Sequence, residues 1–160
     1  MSIVVPTTVR VPGHAVFLTQ NPAATPLAFV QNVKHNKVLH QHIHFLTVLT
    51  RTTPHVPPGQ RLVVTSMGDR IRHVVVNYGF MDRPDVPEVC FASGMHGLDI
   101  PTADTTFFLS RLTFLATPKP GMANWREQIF VFLSRNTQRA SSYFQLPSEQ
   151  VVEIGLVLEI

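Results

Sequence analysis

Charge is scarce in this chain, with only 14% of its 160 residues Asp, Glu, Lys or Arg, and cysteine is reduced to Cys90 alone. A lone cysteine cannot close an internal disulfide, which removes the staple of small secreted domains and fits a reducing compartment. Long apolar runs are missing too. The nearest approach to a membrane span, Phe107–Ala116, is broken by Arg111, well short of the roughly 18 uninterrupted apolar residues that a bilayer requires. The opening Met1-Ser2-Ile3-Val4-Val5-Pro6 has neither a basic stretch nor a long apolar segment, so no secretory signal is expected.

Catalytic phrases are absent as well. The chain has no Gly-x-Ser-x-Gly elbow, no Gly-x-x-x-x-Gly-Lys loop and no Gly-x-Gly-x-x-Gly turn, and its scattered acids suggest no carboxylate cluster for metal-assisted hydrolysis. The formal charge of +3 is spread from Arg10 to Arg139, which gives no footprint for nucleic acid but permits a position near anionic lipid.

What the chain has is apolar residue: 44% of it is hydrophobic, with 11 Phe, enough for one core and one soluble domain over residues 1–160. Thirteen prolines set abrupt corners between elements. Ala15–Thr19 reads as a buried strand, and Leu27, Phe29, Val30 and Val33 recur at helical spacing after Pro26. Ile43–Thr50 reads as a strand stopped by prolines. Arg61–Ser66 and Ile71–Tyr78 read as an antiparallel hairpin in which Gly68 takes positive φ. Asp85 caps a helix, Thr105–Thr117 is a further strand, Trp125–Ala140 is an amphipathic helix, and Val151–Ile160 closes the chain as a strand. The order β-α-β-β-β-α-β-α-β predicts an α/β fold, with α+β as the alternative: a mixed sheet of about six strands with about three helices.

Several side chains merit a chemical reading. His40, His42 and His44 alternate, so an extended segment would project them from one face. They could bind a metal or titrate near neutrality, but the plainer reading is partly exposed positions at a strand entrance, and no metal ligand is assigned. Cys90, between Val89 and Phe91, reads as a small core residue rather than a nucleophile. Lys34, His35, Asn36 and Lys37 crowd a helix end, and with His40 and with Arg126 of the long helix they are the candidate contacts for a ligand or partner. A solvated basic helix end is the plainer account of the first four.

A series of phrases then resembles the region after the membrane helices in Kup-family potassium uptake transporters. They are Val11-Pro12-Gly13-His14-Ala15-Val16-Phe17-Leu18-Thr19, Asn32-Val33-Lys34-His35-Asn36-Lys37-Val38-Leu39-His40 and Tyr78-Gly79-Phe80-Met81-Asp82-Arg83-Pro84-Asp85-Val86-Pro87. Phe107-Phe108-Leu109-Ser110-Arg111, Pro120-Gly121-Met122-Ala123-Asn124-Trp125-Arg126-Glu127 and the ending Val152–Ile160 continue the series. His42 and His44 stand where the family pattern leads one to expect charged or aliphatic residues. The resemblance implies a non-enzymatic domain on the cytoplasmic face of a bacterial inner membrane. Its partner would be the membrane-spanning region of the same transporter, which would carry potassium, together with protons, and which this chain lacks. It implies a regulatory or assembly role with no resident cofactor, cyclic di-AMP being a nucleotide associated with some relatives. A homodimer through a sheet edge, a standalone nucleotide-binding or phosphoester-processing domain, and a purely structural tail remain the alternatives.

Overall fold

In a computed structural model, the structure describes residues 8–68, 70–91, 98, 100–115 and 140–159. The chain runs β1 (Val9–Thr19), α1 (Leu27–Gln31) continued by a π-helical turn (Asn32–Asn36), β2 (Val38–Arg51), α2 (Pro58–Arg61), β3 (Leu62–Ser66) and β4 (Ile71–Gly79). It continues through α3 (Val86–Phe91), β5 (Thr105–Leu115), α4 (Ala140–Tyr143) and β6 (Val151–Glu159). Apart from the added single turn of α2 and the short α4, the element order is the one that the sequence predicts. The long helix expected over Trp125–Ala140 falls almost wholly outside the described residues.

All six strands join one sheet in the order β3-β4-β2-β1-β5-β6. Only β3 runs antiparallel to its neighbour; β1 pairs in parallel with β2 and β5, β2 with β4, and β5 with β6. The parallel strands thus follow a doubly wound order that reverses between β1 and β5. A parallel sheet is covered on both faces, and its central strands are accordingly apolar on both sides. Along β1, Ala15 and Phe17 point to one face while Val16 between them points to the other.

The first face holds an aromatic cluster. Phe17 stacks on Phe108 at 4.6 Å between ring centroids and meets Phe29 of α1 edge-on at 5.3 Å. Each such buried ring contributes about 2 kcal/mol of transfer free energy, and this is what holds the α1 face, through Ala28, Phe29 and Val33, against the sheet. The second face packs Val16, Leu46, Val74, Val76, Tyr78 and Phe107 beneath Val86 and Cys90 of α3. Asp85 caps α3 as expected: its Oδ1 accepts the Glu88 N–H at 2.8 Å.

Two strands extend beyond the sequence expectation. β1 begins at Val9, because Pro12-Gly13 makes a bulge inside the strand rather than a turn before it; the register with β2 shifts between Val11 and His14. Gly13 takes φ +101° there, which an L side chain seldom adopts. β2 begins at Val38, because parallel pairing with Val9–Val11 recruits Val38, Leu39 and His40 into the ladder. The β3–β4 hairpin forms as read, with Gly68 at φ +156°.

Candidate functional site

Chemically active side chains collect at the amino-terminal edge of the parallel sheet. Lys34 and His35 lie on the π-helical turn, and Lys37 ends it in the left-handed region at φ +55°. All are exposed. Asn36 has a structural duty instead: its Nδ2 donates to Asn32 Oδ1 at 2.8 Å, and Asn32 Nδ2 donates to the Val38 carbonyl at 3.0 Å, which fixes the step from helix into β2. The Val9 N–H donates to the Lys37 carbonyl at 3.0 Å, and this bond brings Arg10 alongside the helix end. Arg70, on the β3–β4 turn, comes to the same edge, since its carbonyl accepts the Ile43 N–H at 2.9 Å. Arg10, Gly68, Arg70 and Ile71 line an open concavity of about 420 Å³. Sequence reasoning named Lys34, His35 and Lys37 but not Arg10 and Arg70, because only strand pairing brings those positions to this edge. Arg126 lies outside the described residues.

Of the three alternating histidines, His40 is half-buried and His42 exposed, as expected, while His44 departs from the expectation. His44 is not a partly exposed strand entrance; it is 2% exposed, in the middle of β2. His40 turns to other company, its ring 5.7 Å from Phe108 of the aromatic cluster. Burial lowers the His40 pKa, with Asp104 opposing. The partner that His42 and His44 find is His14 on β1. His14 stacks on His42 with centroids 4.6 Å apart, and its Nδ1 lies 3.2 Å from His44 Nε2. One nitrogen of this pair donates and the other accepts. The remaining His44 nitrogen, Nδ1, is buried without a hydrogen-bond partner. Burial, then the neighbouring His14, Arg72 and His42, push the His44 pKa down to about 3. His44 is therefore a neutral imidazole at neutral pH. Among the described residues no group of three His, Cys, Asp or Glu side chains is arranged to hold a metal ion.

The Tyr78–Pro87 phrase proves to be a clasp. Asp82, its side chain 8% exposed, accepts from His55 Nδ1 at 2.7 Å, the Gly79 N–H at 2.8 Å and the Val56 N–H at 3.1 Å. These donors hold its carboxyl down to about 2, the His55 bond weighing most. The Tyr78 hydroxyl donates to the Asp85 carbonyl at 2.7 Å and accepts the Asp85 N–H at 3.1 Å. Cys90 is a core residue, as read from its apolar neighbours, and burial raises its thiol to about 12. A thiol held protonated in this way is no nucleophile.

The family described as K+ potassium transporter C-terminal domain matches residues 12–160. The chain is 44% identical over 95% of its length to a probable potassium transport system protein Kup of Myxococcus xanthus, of which it covers 23%. It is 43% identical, over 95% of its length and 24% of the relative's, to a probable potassium transport system protein Kup 2 of Rhizorhabdus wittichii. With a probable Kup 1 of Rhodopseudomonas palustris it shares 41% identity over 97% of the chain and 25% of that protein. The chain spans about a quarter of the length of these curated relatives. No solved structure matches it, and among the described residues no helix is long and apolar enough to cross a membrane. With the family match running from the β1 bulge to the last strand, the chain belongs to the family of potassium transporter C-terminal domains.

Proposed function

We propose that this chain is the cytoplasmic regulatory and assembly domain of a proton-coupled potassium uptake transporter of a bacterial inner membrane. The observation that carries the reading is the family match over residues 12–160, joined to relatives whose names are those of potassium transport systems. The fold agrees with it. The sheet is covered on both faces by apolar cores, and His14, His42, His44, the clasp acid and Cys90 are engaged with one another, with the clasp or with the core. Such a domain is a rigid body that can dock, rather than a catalytic cleft.

In this role the domain packs beneath the membrane-spanning region of the same transporter. A ligand or partner touching Lys34, His35, Lys37 or His40, with Asn36 bracing the turn and with Arg126, which lies outside the described residues, as a further contact, biases the membrane part toward one conformation. It does so only by binding one state more tightly than the other, since equal binding shifts nothing. Adenine nucleotides, cyclic di-AMP among them, are the ligands to try first.

The test has two parts. Thermal unfolding of the chain is followed with a panel of adenine and cyclic dinucleotides, where a ligand at one hundred times its dissociation constant adds about 2.7 kcal/mol. Transport per molecule is then compared in the full transporter with and without this domain. A specific thermal shift, together with altered transport per molecule, supports regulation. Lower transporter abundance with unchanged transport per molecule makes the domain a folding and assembly tail instead.

A further inference from the structure

We propose that the concavity between Arg10 and Arg70 is a phosphate site that takes the headgroups of anionic lipid. The inference rests on the reading of the domain as the cytoplasmic part of a membrane transporter, and it names the surface that faces the bilayer. The site draws on two stretches far apart in sequence. Arg10 comes from β1 and Arg70 from the turn before β4; the exposed Lys37 stands nearby in the fold, its carbonyl accepting the Val9 N–H. Among the described residues neither Arg10 nor Arg70 has an ion pair or a side-chain hydrogen bond. Asp69, the acid of the turn, lies outside the described residues. Two arginines lining one concavity carry planar guanidinium groups suited to the oxygens of a phosphodiester, which such groups engage by paired hydrogen bonds.

A second feature separates lipid from soluble phosphate. Val9 and Met67, immediately beside Arg10 and Gly68 in sequence, are 64% and 60% exposed. Large apolar side chains left in water so close in the chain to these cations have no use for a free anion. At a bilayer they enter the headgroup boundary while the cations meet the phosphates, the arrangement by which peripheral elements bind anionic membranes. Lys34 and His35 are exposed on the π-helical turn that leads to Lys37.

The experiment is co-sedimentation of the 160-residue chain with phosphatidylcholine vesicles, with and without phosphatidylglycerol, over a series of salt concentrations. The chain should bind only the anionic vesicles, and less as salt rises. The Arg10→Gln/Arg70→Gln variant should bind about thirtyfold more weakly, the loss expected for two surface cations. Val9→Ser/Met67→Ser should weaken vesicle binding as well. All four side chains are exposed, and an unchanged melting temperature confirms that each variant folds. Unaltered binding by the arginine variant overturns the site, and absence of binding to anionic vesicles overturns the proposal. If pyrophosphate stabilises the parent chain but not the arginine variant while vesicles are ignored, the site takes soluble phosphate and the lipid assignment falls. None of these failures touches the regulatory reading, which transport per molecule decides.

Discussion

His14 Nδ1 and His44 Nε2 lie 3.2 Å apart although thirty positions separate them in the chain. The bulge at Pro12-Gly13 shifts β1 by one residue against β2, so that His14 comes opposite His42 and next to His44. Had the strand run straight from Val11, the register would place Gly13 there and leave His44 without this partner.

The first prediction concerns pH. The unfolded chain protonates His44 below about 6.5, whereas folding holds its pKa at about 3. Below 6.5 the unfolded state therefore binds the extra proton, so stability is full above that pH and is lost as pH falls toward 3. Urea midpoints measured between pH 6.5 and 5, before most carboxylates titrate, should fall in the parent chain and fall less in His44→Gln. Equal slopes in the two proteins would mean that His44 does not couple to folding.

Asp82 loses its contribution in the same direction, in a lower window. Its carboxyl is held at about 2, so its contribution is present above the unfolded carboxylate value of about 3.9 and is lost as pH falls through 2. Asp82→Asn removes the charged acceptor of the His55, Gly79 and Val56 donors. The variant should melt measurably lower at pH 7, and the gap should narrow at pH 2 to 3. A gap that stays constant with pH would assign the loss to shape rather than charge.

The glycines divide into two kinds. A Cβ on Gly79 would collide with the Pro54 carbonyl, and one on Gly13, at φ +101°, would sit 3.0 Å from Asp104 Oδ1. Gly79→Ala should cost about 2 kcal/mol or more by forcing the backbone apart, and Gly13→Ala about 1 to 2 kcal/mol from its left-handed conformation. Among the described residues a Cβ at Gly155 meets nothing within 4 Å, so Gly155→Ala should lie within about 0.5 kcal/mol of the parent. Denaturant unfolding ranks the three, and a costly Gly155→Ala would contradict the open edge seen at β6.

Cys90 supplies a probe of opening. It is 1% exposed, and its thiol is raised to about 12, so a thiol reagent should react only through unfolding of the α3 region. The labelling rate should rise with urea in step with loss of structure. Prompt labelling in native buffer would show that α3 detaches from the sheet without global unfolding.

Much of the fold was legible in the chain because the signals were local. Prolines at 26, 54, 57 and 58 mark element ends, Gly68 marks the hairpin, Asp85 marks the start of α3, and the apolar run at Ile43–Thr50 marks a central strand. The site was legible only in part. The run Lys34-His35-Asn36-Lys37 announces a basic turn, but alternation grouped His40 with His42 and His44, and the structure parts them: His40 meets Phe108 while the others meet His14. Period-two reasoning gives the face of a side chain on a regular strand and says nothing of which neighbouring strand it meets.

Composition, turn residues and hydrophobic periodicity therefore settled the α/β class with its strand-rich core, because each depends on residues a few positions apart. Strand order was decided elsewhere. Whether β1 lies beside β2 or β3, and in which register, depends on burying Phe17, Phe29, Phe45 and Phe108 together, and that requires all their strands at once. From that single packing choice follow the neutral, buried His44, the Asp82 clasp and the edge where Arg10 meets Arg70. These features are properties of parallel pairing between distant segments, and no local stretch of sequence encodes them.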